Sequence, residues 1–143
     1  MELRVTTSEL GAGLDALEAA LRVERLPEAT ILELRLVAEE LLTNLAKYGH
    51  DDGAAHWARV GLTLVAGDVI LEFTDDGRPF DPLAAPPPEF SAQVGEHPIG
   101  GLGVHLVRSL VDAAEYVRRG SQNVLTLRKR AGGEIGAKTD EPR

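Results

Sequence analysis

The hydrophobic period changes after Gly49, and that switch is what most limits the folds open to this chain. From Leu10 to Gly49 the apolar residues recur at helical spacing, and in the section that follows they gather into short strand-like runs. Leu10, Leu14, Leu17 and Leu21, with Glu and Arg between them, predict an amphipathic helix over Ser8–Arg25, with Thr7 or Ser8 as its N-cap. Pro27 suits the entrance to a second helix, whose stripe runs Ile31, Leu34, Val37, Leu41, Leu45 until Gly49 ends it. Then Ala58–Ala66 and Val69–Thr74 read as a hairpin about Gly67-Asp68, and Ala114–Arg119 and Asn123–Arg130 as a second about Gly120-Ser121. A third helix is expected over Leu102–Val111, and Glu2–Thr6 alternates as an edge strand would. Helices and strands in separate blocks predict an α+β two-layer sandwich rather than a βαβ parallel fold.

One long stretch has no period. Arg78–Gly101 carries six of the chain's 8 prolines, and an irregular connection of that length usually serves function, often as a lid. The chain has 143 residues, the size of one domain. Its net charge is −8, from 15 Lys+Arg and 23 Asp+Glu, which is a poor balance for gripping nucleic acid. No cysteine is present, so thiolate zinc sites, disulfides and cysteine nucleophiles are excluded. No apolar run approaches the roughly 20 residues of a membrane span. Met1-Glu2-Leu3-Arg4 lacks a signal-peptide layout, so a cytoplasmic protein without membrane association is expected.

Four places carry residues suited to chemistry. In the second helix Glu40, Asn44 and Lys47 share one face, and a carboxylate, an amide oxygen and an ammonium so arranged suit a hydroxyl, a divalent metal and a phosphate. Such stripes are also ordinary on solvated helices. At the end of the hairpin stands Thr74-Asp75-Asp76-Gly77-Arg78-Pro79-Phe80-Asp81-Pro82. An Asp there can accept from an exocyclic amine such as that of adenine, and Gly77 permits close approach of a flat ring; the same residues also make plain turns. Gly100-Gly101-Leu102-Gly103 stands before the third helix, either as an anion-holding loop or as a hinge. Asn123-Val124-Leu125-Thr126 on the last hairpin offers Thr126, whose residue type is also simply a good strand former.

In this order the motifs resemble the Bergerat ATP-binding fold of gyrase-type ATPases, histidine kinases and heat-shock chaperones. Within it the chain looks most like the bacterial anti-sigma factor serine kinases. The resemblance rests on Glu-Leu-Leu-Thr-Asn, Asp-Asp-Gly-Arg-Pro-Phe-Asp-Pro and Gly-Gly-Leu-Gly-Val-His-Leu-Val-Arg, and covers roughly Ser8–Arg130. It implies a mixed, mainly antiparallel sheet with three helices on one face, in an ATP-binding domain over 1–131 with a loose tail over 132–143. It also implies ATP and Mg²⁺ as ligands. Glu40 then corresponds to the group that takes the proton of the attacking hydroxyl, Asn44 to the Mg²⁺ ligand and Lys47 to a phosphate contact. Asp75 corresponds to the adenine reader and Gly77 to the glycine beside the ring. Gly101, Leu102 and Gly103 correspond to the phosphate loop, and Thr126 to a threonine near the adenine.

The activity implied is phosphorylation of a serine on a STAS-domain antagonist by a homodimer that otherwise sequesters a sigma factor or analogous regulator. The alternative is a nucleotide-binding module that sequesters a non-sigma partner with little or no kinase activity. The ATPase half of a histidine kinase is disfavoured, since the stretch before Glu39-Glu40 is too short for a dimerising hairpin with a phosphoacceptor, and His50, His56, His97 and His105 all fall within the domain. Two positions depart from the anti-sigma kinases: Tyr48 stands where histidine is frequent, and the lid over Leu83–His97 has no lysine or arginine.

Overall fold

A computed structural model describes residues 1–6, 8–48, 56–84 and 99–131, the side chains of 48 and 99–104 excepted. The element order is β1 (Glu2–Thr6), α1 (Leu10–Val23), α2 (Glu28–Tyr48), β2 (Trp57–Val65), β3 (Asp68–Asp75), a 3-10 turn (Pro82–Ala84), α3 (Ile99–Leu110), β4 (Ala113–Arg119) and β5 (Gln122–Arg130). The lid outside Leu83-Ala84, the tail over 132–143, and Thr7, Gly49, His50 and His97 lie outside the described residues.

The strands form one sheet in the order β1-β2-β3-β5-β4. All four pairings are antiparallel, so the expected mixed sheet is corrected to an antiparallel one among the described strands. Strand parity decides which face meets the helices. Val5, Ala58, Val60, Leu62, Val69, Leu71, Phe73, Leu125 and Leu127 point to the helical side and are buried. The helices meet them with Leu14, Leu17 and Leu21 of α1, with Ile31, Leu34, Val37, Ala38, Leu41 and Leu42 of α2, and with Val107 of α3. Each fully buried aliphatic side chain contributes about 1.5–3 kcal/mol relative to exposure. The apolar stripes read from the sequence are therefore the core.

Local chemistry sets the element ends. α1 starts at Leu10 with Glu9 as its N-cap and no side-chain cap bond, which corrects the expected cap at Thr7 or Ser8. It ends before Arg25, which takes the left-handed φ of 61° that closes many helices. Arg22 Nη1 and Nη2 donate to the two carboxylate oxygens of Glu28 at 2.6 and 2.8 Å, joining the last turn of α1 to the first of α2. Arg35 reaches back from α2 to Asp15 and Glu18 at 2.8 and 2.9 Å.

The first hairpin turns one residue earlier than expected. Val65 pairs with Asp68, so Ala66-Gly67 are the turn residues, with φ of 54° and 88°. Two positive φ values define the type I′ geometry that matches strand twist, and only Gly67 adopts it without strain. α3 begins at Ile99, three residues earlier than the periodicity implied, so Gly100, Gly101 and Gly103 lie inside its first turns. In the sequence Pro98 precedes Ile99, and proline is a residue type that suits a helix entrance.

Candidate functional site

A cleft opens between α2, the end of β3, and the β4–β5 hairpin. Its lining includes Leu41, Leu45, Phe73 and Leu125 as apolar walls and Asn44, Asp75 and Asn123 as polar groups. It is open to solvent, with a cavity volume of about 50 Å³. An apolar wall with few convergent polar groups is usual for a small-molecule site.

Asn44 reaches the cleft because α2 turns its buried face there, one turn beyond Leu41. It is only 4 % exposed, and its side chain makes no hydrogen bond among the described residues. A buried amide left without a partner costs about 1–3 kcal/mol, so Asn44 adds nothing to stability unless a group in the cleft takes its hydrogen bonds. Asp75 is the last residue of β3 and faces the same cleft. Its Oδ1 accepts from Gly77 N at 2.8 Å and from Asn123 Nδ2 at 3.0 Å. Its Oδ2 takes no hydrogen bond among the described residues.

Asn123 is the centre of the polar wall. Nδ2 also donates to Arg78 O at 2.9 Å. Oδ1 accepts from Tyr116 Oη at 2.5 Å, Arg118 Nη1 at 3.1 Å and Phe80 N at 3.3 Å. Arg118 Nη1 further donates to Gly77 O at 2.9 Å. The loop after β3 is thus tied at Gly77, Arg78 and Phe80 to the last hairpin. At its far end Arg108 of α3 donates to the carbonyl of Leu83.

The sequence-derived candidates separate into three groups. Asn44 and Asp75 line one cleft, and buried Gly77 is bonded to Asp75 at its edge. Glu40, one turn before Asn44 and partly buried, and Lys47, exposed in the last turn of α2, lie outside the lining. Gly101, Leu102 and Gly103 form helical backbone at the start of α3.

Thr126 is corrected. Asn123 and Leu125 face the cleft, so Thr126 has the opposite strand parity and stands between Glu72 and Glu115 on the face of the sheet away from the helices. The group that reaches the site from this strand is Asn123, with Tyr116 and Arg118 beside it. Sequence reasoning passed over these three. The one available signal was the period-2 pattern itself, since Leu125 and Leu127 as core residues place Asn123 on the same face. Among the described residues no cluster of three His, Cys, Asp or Glu side chains is placed to hold a metal. Mg²⁺ does not require one, because it commonly takes one or two protein oxygens together with water and phosphate. Asn44 and the second oxygen of Asp75 fit a Mg²⁺–nucleotide pair in type.

An antiparallel sheet covered on one face by three helices, with this cleft at the end of its central strand, defines a histidine kinase-like ATPase domain. The chain belongs to that family, whose profile matches residues 3–129. It is 31% identical over 136 residues to the serine/threonine-protein kinase BtrW of Bordetella bronchiseptica, spanning 94% of each chain. Among solved structures it is similar to the Erythrobacter litoralis EL346 blue-light activated histidine kinase, with a TM-score of 0.58 and 20% identity over 89% of this chain. It is similar also to the Acinetobacter baumannii histidine kinase AdeS, with a TM-score of 0.50 and 19% identity over 71% of this chain. The chain spans 43% and 47% of those two chains, and at such identities the likeness concerns the fold alone. Among the described residues no helix is long and apolar enough to cross a membrane.

Proposed function

We propose that this chain is an ATP-dependent protein-serine kinase and anti-sigma factor of a partner-switching system, acting in the cytoplasm as a homodimer. It phosphorylates a STAS-type antagonist on serine and otherwise sequesters a sigma factor or a similar regulator. The observation that carries the reading is the apolar cleft that holds both Asn44 and Asp75, each with unused hydrogen-bonding capacity among the described residues. The relative named a serine/threonine-protein kinase, matched along 94% of its length, supports phosphotransfer to protein.

In this reading Asp75 Oδ2 accepts from the exocyclic amine of adenine, and Leu41, Phe73 and Leu125 wall the ring. Asn44 supplies an oxygen to Mg²⁺, which neutralises charge on the phosphates when bound. The N–H groups of the first turn of α3, up to Gly101, hold the anion, since those of Leu102 and Gly103 are inside the helix, and Lys47 adds a positive charge for the phosphates. Glu40 accepts the proton of the incoming serine hydroxyl. The serine oxygen forms the new P–O bond as the bond to ADP breaks. A phosphate on the antagonist adds about −1.5 to −2 charge at the interface, which drives its release.

The test mixes the protein with Mg-ATP and its cognate antagonist and looks for phosphoserine by mass spectrometry. Transfer that is lost in Glu40→Ala while ADP binding persists supports the kinase. Antagonist binding without transfer leaves a nucleotide-binding sequestering module. A fluorescent ADP analogue that fails to bind up to millimolar concentration, with Mg²⁺ present, overturns both.

A further inference from the structure

Asn123 is nearly buried, at 7 % exposure, and its side chain is saturated. Both Nδ2 protons are taken, by Asp75 Oδ1 at 3.0 Å and Arg78 O at 2.9 Å. Oδ1 is met by three donors, on Phe80, Tyr116 and Arg118. The amide cannot be reversed. The Phe80 N–H and the Arg118 guanidinium can only donate, so the oxygen must face them. The Asp75 carboxylate and the Arg78 carbonyl can only accept, so the nitrogen must face them. With no donor or acceptor left, Asn123 has nothing to offer a bound base.

On this basis we infer that Asn123 is a positioning residue for base selection, acting through Asp75. It occupies Oδ1 together with the Gly77 N–H and so leaves Oδ2 as the single acceptor that Asp75 presents to the cleft. An acceptor held in that orientation selects a purine bearing an exocyclic amine and rejects one bearing a carbonyl at the same position. Tyr116 and Arg118 hold the amide in turn, which makes base selection depend on the docking of the β4–β5 hairpin. The inference rests on the nucleotide reading given above and adds to it the residue that sets the direction of the hydrogen bond.

Asn123→Asp tests it with ADP and inosine diphosphate, which differ at the amine. The substitution keeps shape but sets a second carboxylate about 3 Å from Asp75, where the two cannot both ionise without repulsion. The charged or titratable groups in contact with this pair or lining the cleft are Arg78, Tyr116 and Arg118; α2 adds only Leu41, Leu42, Asn44 and Leu45 to the lining. The wild type is expected to prefer ADP at both pH 8 and pH 5.5. At pH 8 the variant should lose about tenfold of that preference, the scale of one hydrogen bond to a charged group. At pH 5.5 a proton shared by the two carboxylates should restore it. Asn123→Ser, which retains one donor, should fall between the two, and it is read instead if Asn123→Asp gives no cooperative melting curve. A merely structural role would weaken ADP and inosine diphosphate in parallel, and a parallel loss overturns the inference. An unchanged preference in the variants overturns it too, leaving the nucleotide reading intact. A wild type that binds neither nucleotide removes both.

Discussion

Gly13 of α1 lies against Val5 of β1 so closely that a Cβ built on the glycine would meet Val5 Cγ1 at 2.6 Å and Cγ2 at 2.8 Å. Val5 is buried and stiff at its β-branch, so it cannot yield cheaply. Gly13→Ala is therefore expected to destabilise by about 1–3 kcal/mol, the range for overpacking, even though alanine favours a helix by about 1 kcal/mol. Gly11 in the same helix has no heavy atom within 4 Å of its Cβ position. Gly11→Ala should stabilise by up to about 1 kcal/mol. Urea melts of the two variants decide the matter, and equal effects would mean that α1 is not seated on β1 as described.

Asn44 carries a trade between stability and binding. Asn44→Leu replaces a buried unpartnered amide by an apolar group of similar size, so stability should rise by about 1–2 kcal/mol. The Mg²⁺-dependent part of ADP affinity should fall at the same time. Thermal melting with and without Mg-ADP reads both. A variant that is less stable and still responds fully to Mg²⁺ contradicts the assignment.

Asp75→Asn changes what the site selects. The amide oxygen introduced by that substitution can keep the bonds from Gly77 N and Asn123 Nδ2, which turns the amide nitrogen toward the cleft. ADP affinity should drop about tenfold or more, and inosine diphosphate should become the better ligand. Titration calorimetry with the two nucleotides checks this.

The Arg22 bridge gives stability an acid dependence. The carboxyls of Glu18 and Glu28 are each held below their ordinary value of 4.5, chiefly by the hydrogen bond from Arg22. A lowered folded value means that the contribution is complete above pH 4.5 and is lost as pH falls through the lowered value. Arg22→Met should lower the melting temperature at pH 7, with the gap to wild type closing in acid and in high salt, since all three side chains are at the surface. A gap that stays constant from pH 7 to pH 3 would assign the loss to packing of the arginine stem.

Much of this architecture was legible locally. The α2 stripe of Ile31, Leu34, Val37 and Leu41 is buried as its spacing requires, and the motif residues Asn44 and Asp75 meet in one cleft. Two of the failures turn on long-range pairing. Thr126 and Asn123 differ only in parity, and parity has meaning only once β5 is in register with β3. Likewise the choice between Ala66-Gly67 and Gly67-Asp68 as turn is made by the pairing of Val65 with Asp68. Glu9 caps α1 without a side-chain bond, so no residue type marked that start.

Asp75 and the amide that orients it are 48 positions apart in the chain. During synthesis the helices and the first hairpin leave the ribosome well before β5 does. If Asp75 reads the base as proposed, the newborn chain stays unable to tell one purine from another until its last strand is in place, and ligand recognition then serves as a report that the sheet has closed.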